Sequence, residues 1–289
     1  MYFNILSMFS RKSKPIIKHV EQDVCKTQFE KEIKTLMQKS DEALQEIRNE
    51  NFNSETLKTL LSPNFKTKKN NCLMAISTKV PNSPVEVSYD MKLDKDIVTL
   101  NIFPNESQDI LLGSKTYFLE RGEDGIFHMF SGSMSSDEEL CKKIGVKGIG
   151  MLERILQIND AIKRNISSIP CISYARSVLF HLKMGFMPVQ HLEQINSLSD
   201  IKKIMDNLKN RSVLDVFAEN YTPIIVKKGD NYYLDSNTTQ CVANLRQIKN
   251  NYKKFPDRGP RPFIRGTCVD MILEGSNYNI WKDMITTIF

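Results

Sequence analysis

The sequence is poor in the residues that would signal the simplest alternatives to a folded enzyme or binding protein. Only 12 glycines occur among 289 residues, so there is no glycine-rich linker, and no internal repeat or long low-complexity tract takes its place. The six cysteines, at positions 25, 72, 141, 171, 241 and 268, form no Cys-x-x-Cys pair. That spacing argues against a zinc site or a disulfide framework and fits a reducing cytosol; no metal is implied. No uninterrupted apolar run reaches the roughly 18 residues needed to span a bilayer. The apolar start, MYFNILSMFS, is short, is followed by basic residues (Arg11, Lys12, Lys14) and offers no clear small-residue cleavage site, so it is a poor signal peptide. A cytoplasmic protein is expected, with room for weak membrane-surface contact at its start.

What is present is a globular composition, 40% hydrophobic and 26% charged, long enough for one large or two small domains. The formal charge of +6 favours anionic partners without choosing among them.

Periodicity divides the chain. From Phe29 to Ile47 apolar or small residues recur at steps of four and three (Phe29, Ile33, Leu36, Ser40, Ala43, Ile47), the stripe of an amphipathic helix of about five turns. A second helix is expected near Ser54, and the polar stretch 64–71 reads as a linker. Between Cys72 and Phe130 the period becomes two. Val85 to Leu93 and Val98 to Ile102 flank a turn at Asp94-Lys95-Asp96, and Thr116–Glu120 and Gly125–Phe130 flank a second, giving a meander of about four strands. Helical spacing returns from Met151 to Ile162. A short apolar segment, 166–172, suits a parallel strand, followed by helices at about Tyr174–Lys183, Asp200–Leu208 and Val242–Asn250, with a hairpin turning at Lys228–Asn231.

The segment Gly145-Val146-Lys147-Gly148-Ile149-Gly150 stands between the meander and the first of these helices. Successive backbone N–H groups at a helix N-terminus form a concavity for phosphate, and glycine keeps side chains off the main chain there. Downstream, YARSVLFHLKMGFMP ends its helix with Gly185-Phe186. The order of these two stretches resembles the GNAT superfamily of acyl-CoA N-acyltransferases. The matching positions of the first motif, Gln/Arg-x-x-Gly-x-Gly/Ala, are 145–150, with Gly145 where the family has Gln/Arg. Those of the second are Tyr174, Ser177, His181, Gly185 and Phe186. The resemblance covers residues 144–188.

It implies an α/β (α+β) fold with a mixed, mainly antiparallel central sheet and flanking helices, the sheet splayed where the pantetheine arm of an acyl-CoA lies. It also implies acetyl-CoA or another acyl-CoA as co-substrate, its pyrophosphate on the amides of Val146, Lys147, Gly148, Ile149, Gly150 and Met151. The activity implied is N-acyl transfer, commonly acetyl transfer, to an amine of a protein or small molecule. His181 occupies the position of the family's tyrosine acid, and an imidazole of ordinary pKa can pass a proton either way. For a general base, Glu120 and Glu123 border the second hairpin and neither is singled out.

On this reading, residues 1–71 are an N-terminal helical arm, 72–235 the GNAT-like core and 236–289 a helical, basic C-terminal segment. Three alternatives stay open. A catalytically degenerate GNAT-like interaction protein fits the missing Gln/Arg and the histidine for tyrosine. Nucleic-acid binding through residues 246–265 fits seven Lys/Arg interleaved with Tyr252, Phe255 and Phe263. A cysteine nucleophile at Cys241 would need that residue at a helix N-terminus.

Overall fold

The computed structural model describes residues 14–51, 72–77, 84–104, 107, 109–123, 125–130, 132–211, 221–254 and 267–288. Helix α1 (Lys14–Glu50) is followed by strands β1 (Cys72–Ser77), β2 (Pro84–Asp94), β3 (Ile97–Pro104), β4 (Gly113–Arg121), β5 (Phe127–Phe130) and β6 (Met134–Ser136). Next come α2 (Glu138–Ile144), β7 (Val146–Lys147), α3 (Ile149–Lys163), β8 (Ile169–Ser173), α4 (Val178–Lys183) and β9 (Met187–Pro188). The chain continues with β10 (Leu192–Ile195), α5 (Leu198–Arg211), β11 (Ile225–Lys228), β12 (Asn231–Asp235), α6 (Ser236–Lys254), β13 (Val269–Leu273) and α7 (Gly275–Ile288). The protein is α+β, and every strand pair among the described residues is antiparallel.

The chain divides into two compact units, each built from two separated segments: residues 1–49 with 190–267, and 50–189 with 268–289. This differs from the linear division at 71 and 235. The cause is β13, which leaves the C-terminal segment to pair with β8 on one side and β9 on the other.

In the unit formed by 50–189 and 268–289, the strand order is β5-β4-β3-β2-β1-β7, with β6 also on β4, and a second sheet has the order β8-β13-β9. The expected alternation builds the meander: Val87, Val98, Leu100, Ile102, Tyr117 and Leu119 are buried. The turns fall at Lys95, which takes the left-handed conformation (φ 55°), and at Gly125 (φ 80°). Helix α3 packs on β4, β3 and β6 and also meets α7, so it is buried from Leu152 to Ala161 rather than along one apolar face. Trp281 of α7 is fully buried and donates to Met184 O at 2.8 Å, and Tyr278 donates to Ile166 O. Segment 166–172 was expected as a parallel strand; β8 instead pairs antiparallel with β13, Pro170 standing opposite Ile272. The helix expected over 174–183 opens as a 3-10 turn, Ala175–Ser177, before α4.

In the unit formed by 1–49 and 190–267, Ile33 of α1 joins Ile195, Ile201, Met205, Leu208, Ile225 and Leu234 in one apolar cluster. Ser40, on the same stripe, donates to Pro223 O (2.8 Å) and accepts from the Ile225 amide (2.9 Å). Glu46 takes a forked ion pair from Arg246 (Nε to both oxygens at 3.1 Å, Nη2 at 2.6 Å). Helix α5 begins with a capping box: Ser197 Oγ accepts from the Asp200 amide, and the Asp200 carboxylate accepts from the Ser197 amide. Helix α6 begins at Ser236, ahead of the expected Val242, because the Asp235 carboxylate accepts from the Thr238 amide at 3.1 Å and caps the Asn-Thr-Thr run that reads as non-helical in isolation. The helix expected near Ser54, the linker 64–71, the start MYFNILSMFS and residues 255–266 of the basic tail lie outside the described residues. Among the described residues no helix is long and apolar enough to cross a membrane.

Candidate functional site

The glycine segment is built tightly from both sides. Gly145 ends α2 in the left-handed conformation (φ 82°), its amide donating to Cys141 O and Lys142 O. Val146 and Lys147 form β7, paired with Ser77 and Ile76 of β1. Gly148 (φ 88°) then turns the chain into α3 with no side-chain cap. The ladder of α3 starts with the Leu152 amide donating to Gly148 O at 3.1 Å, which leaves the amides of Ile149, Gly150 and Met151 without a partner among the described residues. The two glycines leave room beside this turn: a Cβ added at Gly148 would find Met151 Cε at 3.8 Å, and one at Gly150 would find Met134 Cε at 3.8 Å. Of the six expected amides, those of Val146 and Lys147 belong to a strand paired with β1, so the bare backbone shortens to the first turn of α3.

His181 is not on the surface and does not face solvent; it is buried on α4. Its Nε2 lies 2.8 Å from Arg154 Nη2, and its Nδ1 lies 2.8 Å from Ser173 Oγ. An arginine only donates, so Nε2 accepts, Nδ1 carries the hydrogen and Ser173 receives it. Ser173 passes its own hydrogen to Tyr174 O (3.2 Å). Burial first, then the Arg154 and Lys115 cations, hold the His181 pKa well below its usual 6.5. The imidazole is neutral with its accepting nitrogen already occupied. This geometry differs from the proton-passing imidazole of ordinary pKa expected from the sequence.

Arg154 is the hub. Besides His181 it donates from Nη1 to Gln157 Oε1 (2.7 Å) and lies 4.8 Å above the ring of Phe186, a cation–π contact. Gln157 in turn donates to Met129 Sδ of β5 at 3.3 Å. The glycine turn and His181 are therefore joined through Arg154, one turn into α3.

Beneath this hub lie Lys115 of β4 and Glu153 of α3, both buried. Neither oxygen of Glu153 has a hydrogen-bond partner. Burial outweighs the pull of Lys115 and Arg154 and pushes its pKa up to about 8. Burial, and then Arg154, bring the Lys115 amine well below its usual value. Glu153 also abuts β4: a Cβ on Gly113 would stand 2.4 Å from Glu153 Oε1 and 2.5 Å from Ile149 Cγ2.

The remaining candidates separate. Glu120 and Glu123 are exposed. Cys241 is fully buried in α6 beyond its first turn, and burial, then Asp235, raises its pKa, the reverse of an activated thiol. In the basic stretch, Arg246 is committed to Glu46 and Thr222, and Arg258, Arg261 and Arg265 lie outside the described residues. Among the described residues no group of three His, Cys, Asp or Glu could hold a metal.

Sequence reasoning missed Arg154, Gln157, Glu153 and Lys115. On a helix whose apolar stripe is read from Leu152, Ile155 and Ile158, the polar residues Glu153, Arg154 and Gln157 read as the solvated face, and no local signal says that α7 and the sheets enclose them. Compared with protein-family models, curated proteins and solved structures, the chain matches none.

Proposed function

We propose that this protein binds an acyl-CoA and transfers its acyl group to an amine, the reading implied by its resemblance to the GNAT superfamily. The observation that carries it is the first turn of α3, where three unpartnered amides follow a left-handed glycine and stand ready for a diphosphate. A second feature agrees. Strands β5 and β8 lie close together, and among the described residues β5 is paired with β4 and β8 with β13. On this reading the place where the two sheets meet takes the arm of the acyl-CoA. In this reading the protein acts chiefly by holding thioester and amine together, and the proton for the leaving thiolate comes from a group other than His181 or from water.

The alternative reading, an acyl-CoA-binding interaction protein without turnover, is favoured by the same histidine. Its accepting nitrogen is filled by Arg154 and its hydrogen is given to Ser173, so the acid expected at this position is missing. Titration calorimetry with acetyl-CoA tests the shared core of both readings, and no heat of binding at millimolar ligand would reject both. Release of free thiol from acetyl-CoA in the presence of amine acceptors then separates enzyme from binding protein.

A further inference from the structure

A buried carboxyl with nothing to bond lies one helical turn beneath the bare amides of α3. Glu153 is four residues past Ile149, the first residue of that helix, and residues so spaced share a face. Helical side chains lean toward the N-terminus, so the carboxyl is carried up toward the first turn. Strand β4 records the direction: a Cβ placed on Gly113 would collide with Glu153 Oε1 and Ile149 Cγ2 at once, so the carboxyl and the Ile149 side chain press on one point. Glu153 is 0% exposed, and neither of its oxygens has a hydrogen-bond partner. The ionisable groups that face it are few. Lys115 comes from β4, Arg154 from α3 itself and the Cys141 thiol from α2. Of the other elements packed on α3, β3 and β6 carry no ionisable residue. On α7, Lys282 and Asp283 are exposed and Tyr278 donates to Ile166 O.

We propose that an anion seated on the first turn of α3 is taken up together with a proton, which the Glu153 carboxyl holds, so that pH sets the affinity of the turn through a side chain the ligand never touches. This rests on the reading of that turn as the seat of a diphosphate and adds its regulation. An ionised Glu153 and a bound diphosphate are like charges on one helix face with little water between them, and their repulsion is far larger there than in bulk solvent. A proton on the carboxyl removes that repulsion and breaks no hydrogen bond, because the oxygens make none. Burial already holds the free protein's Glu153 at about 8, and a bound anion lifts it further. Binding is therefore at full strength below that value, weakens as pH rises through it, and levels off once the carboxyl is ionised even with the anion in place. Lys115 acts in the same direction, since losing its proton removes a cation from the neighbourhood of the anion. Substitution separates the two.

The test is titration calorimetry on the full chain with two probes, ADP and acetyl-CoA, between about pH 7.5 and 9.5. Wild type should lose about tenfold in affinity for each probe across this range. At about pH 8.5 it should take up about half a proton per ligand, read by repeating the titration in buffers of different ionisation heat. Glu153→Gln, which keeps the shape of the uncharged side chain, should hold its affinity within about twofold and take up no proton. Lys115→Met should keep the uptake and move it to higher pH, because Glu153 then loses a cation that favours its charged form. Flat wild-type affinity, a slope that survives in Glu153→Gln, or uptake that vanishes in Lys115→Met overturns the proposal. Should Glu153→Gln fail to fold, wild type and Lys115→Met carry the test. Wild type that binds ADP with its proton but does not bind acetyl-CoA leaves this proposal standing and rejects the acyl-CoA reading, whereas binding of neither rejects both.

Discussion

A guanidinium has five hydrogens to give and no lone pair to receive, so each neighbour of Arg154 is told which way to face. The consequence is sharpest at His181. His181→Phe would leave an Arg154 Nη2 hydrogen without its acceptor and the Ser173 hydroxyl oxygen without its donor, and is expected to cost about 2–4 kcal/mol in urea-induced unfolding. An unchanged urea midpoint would mean that the ring sits there only to fill space. Glu153 makes a pH-dependent prediction. Its folded pKa of about 8 lies above the ordinary 4.5, so folding takes up a proton between those values. Its contribution therefore makes stability fall as pH rises through that window and level off above it. Lys115, with its pKa lowered, contributes the opposite slope above its own folded value. Glu153→Gln should remove the falling component, seen as a smaller difference between urea midpoints measured at the two ends of the window.

At the scale of elements, α3 decides the site, and two of its close approaches can be tested with alanine. At Gly148 (φ 88°) the space beside a new Cβ is open, so the cost of alanine is the left-handed backbone, about 1–2 kcal/mol. Gly150 lies inside the helix with equal space and no positive φ, so alanine there should stabilise by about 0.5–1 kcal/mol. Thermal melts that shift in the same direction for both would contradict the geometry. On ligand binding the two agree: a bulky side chain such as phenylalanine at either position should abolish acetyl-CoA binding, and retained affinity would remove the first turn of α3 from the site. Gly113→Ala meets the Glu153 carboxyl and Ile149 at contact distances no Cβ tolerates, and overpacking there is expected to cost about 1–3 kcal/mol.

Across the whole molecule, the decisive strand is β13, which follows β8 by almost a hundred residues and still lies between it and β9. A chain ended at Asp235, the boundary that the linear reading suggests, would lack β13, Trp281 and α6 together. Such a chain should show no cooperative melt by near-ultraviolet circular dichroism, and a sharp transition would mean that the unit closes without its C-terminal segment. The basic stretch is weighed at the same scale. Arg246 is held by Glu46 from α1, so Arg246→Met should lower stability by about 1–3 kcal/mol and leave any salt-dependent nucleic-acid affinity unchanged.

The amino-acid sequence alone determined what depends on neighbours a few residues apart. The period-two alternation of Val98, Leu100 and Ile102, the turns at Lys95 and Gly125, the stripe of α1 through Ile33, Ser40, Ala43 and Ile47, and the glycine turn into α3 are local consequences of side-chain period and backbone freedom. Tertiary structure decided whatever depends on what covers a face. Arg154 and Glu153 read as solvated because a helix specifies which residues share a side and never what lies against it. His181 read as a proton-passing imidazole of ordinary pKa because its partners come from α3 and β8. Segment 166–172 read as parallel because its partner, β13, is separated from it in sequence by residues 190–267, the longer segment of the other unit. Local geometry is encoded in spacing, whereas burial, and with it the charge state of every group at the candidate site, arises only when distant segments meet.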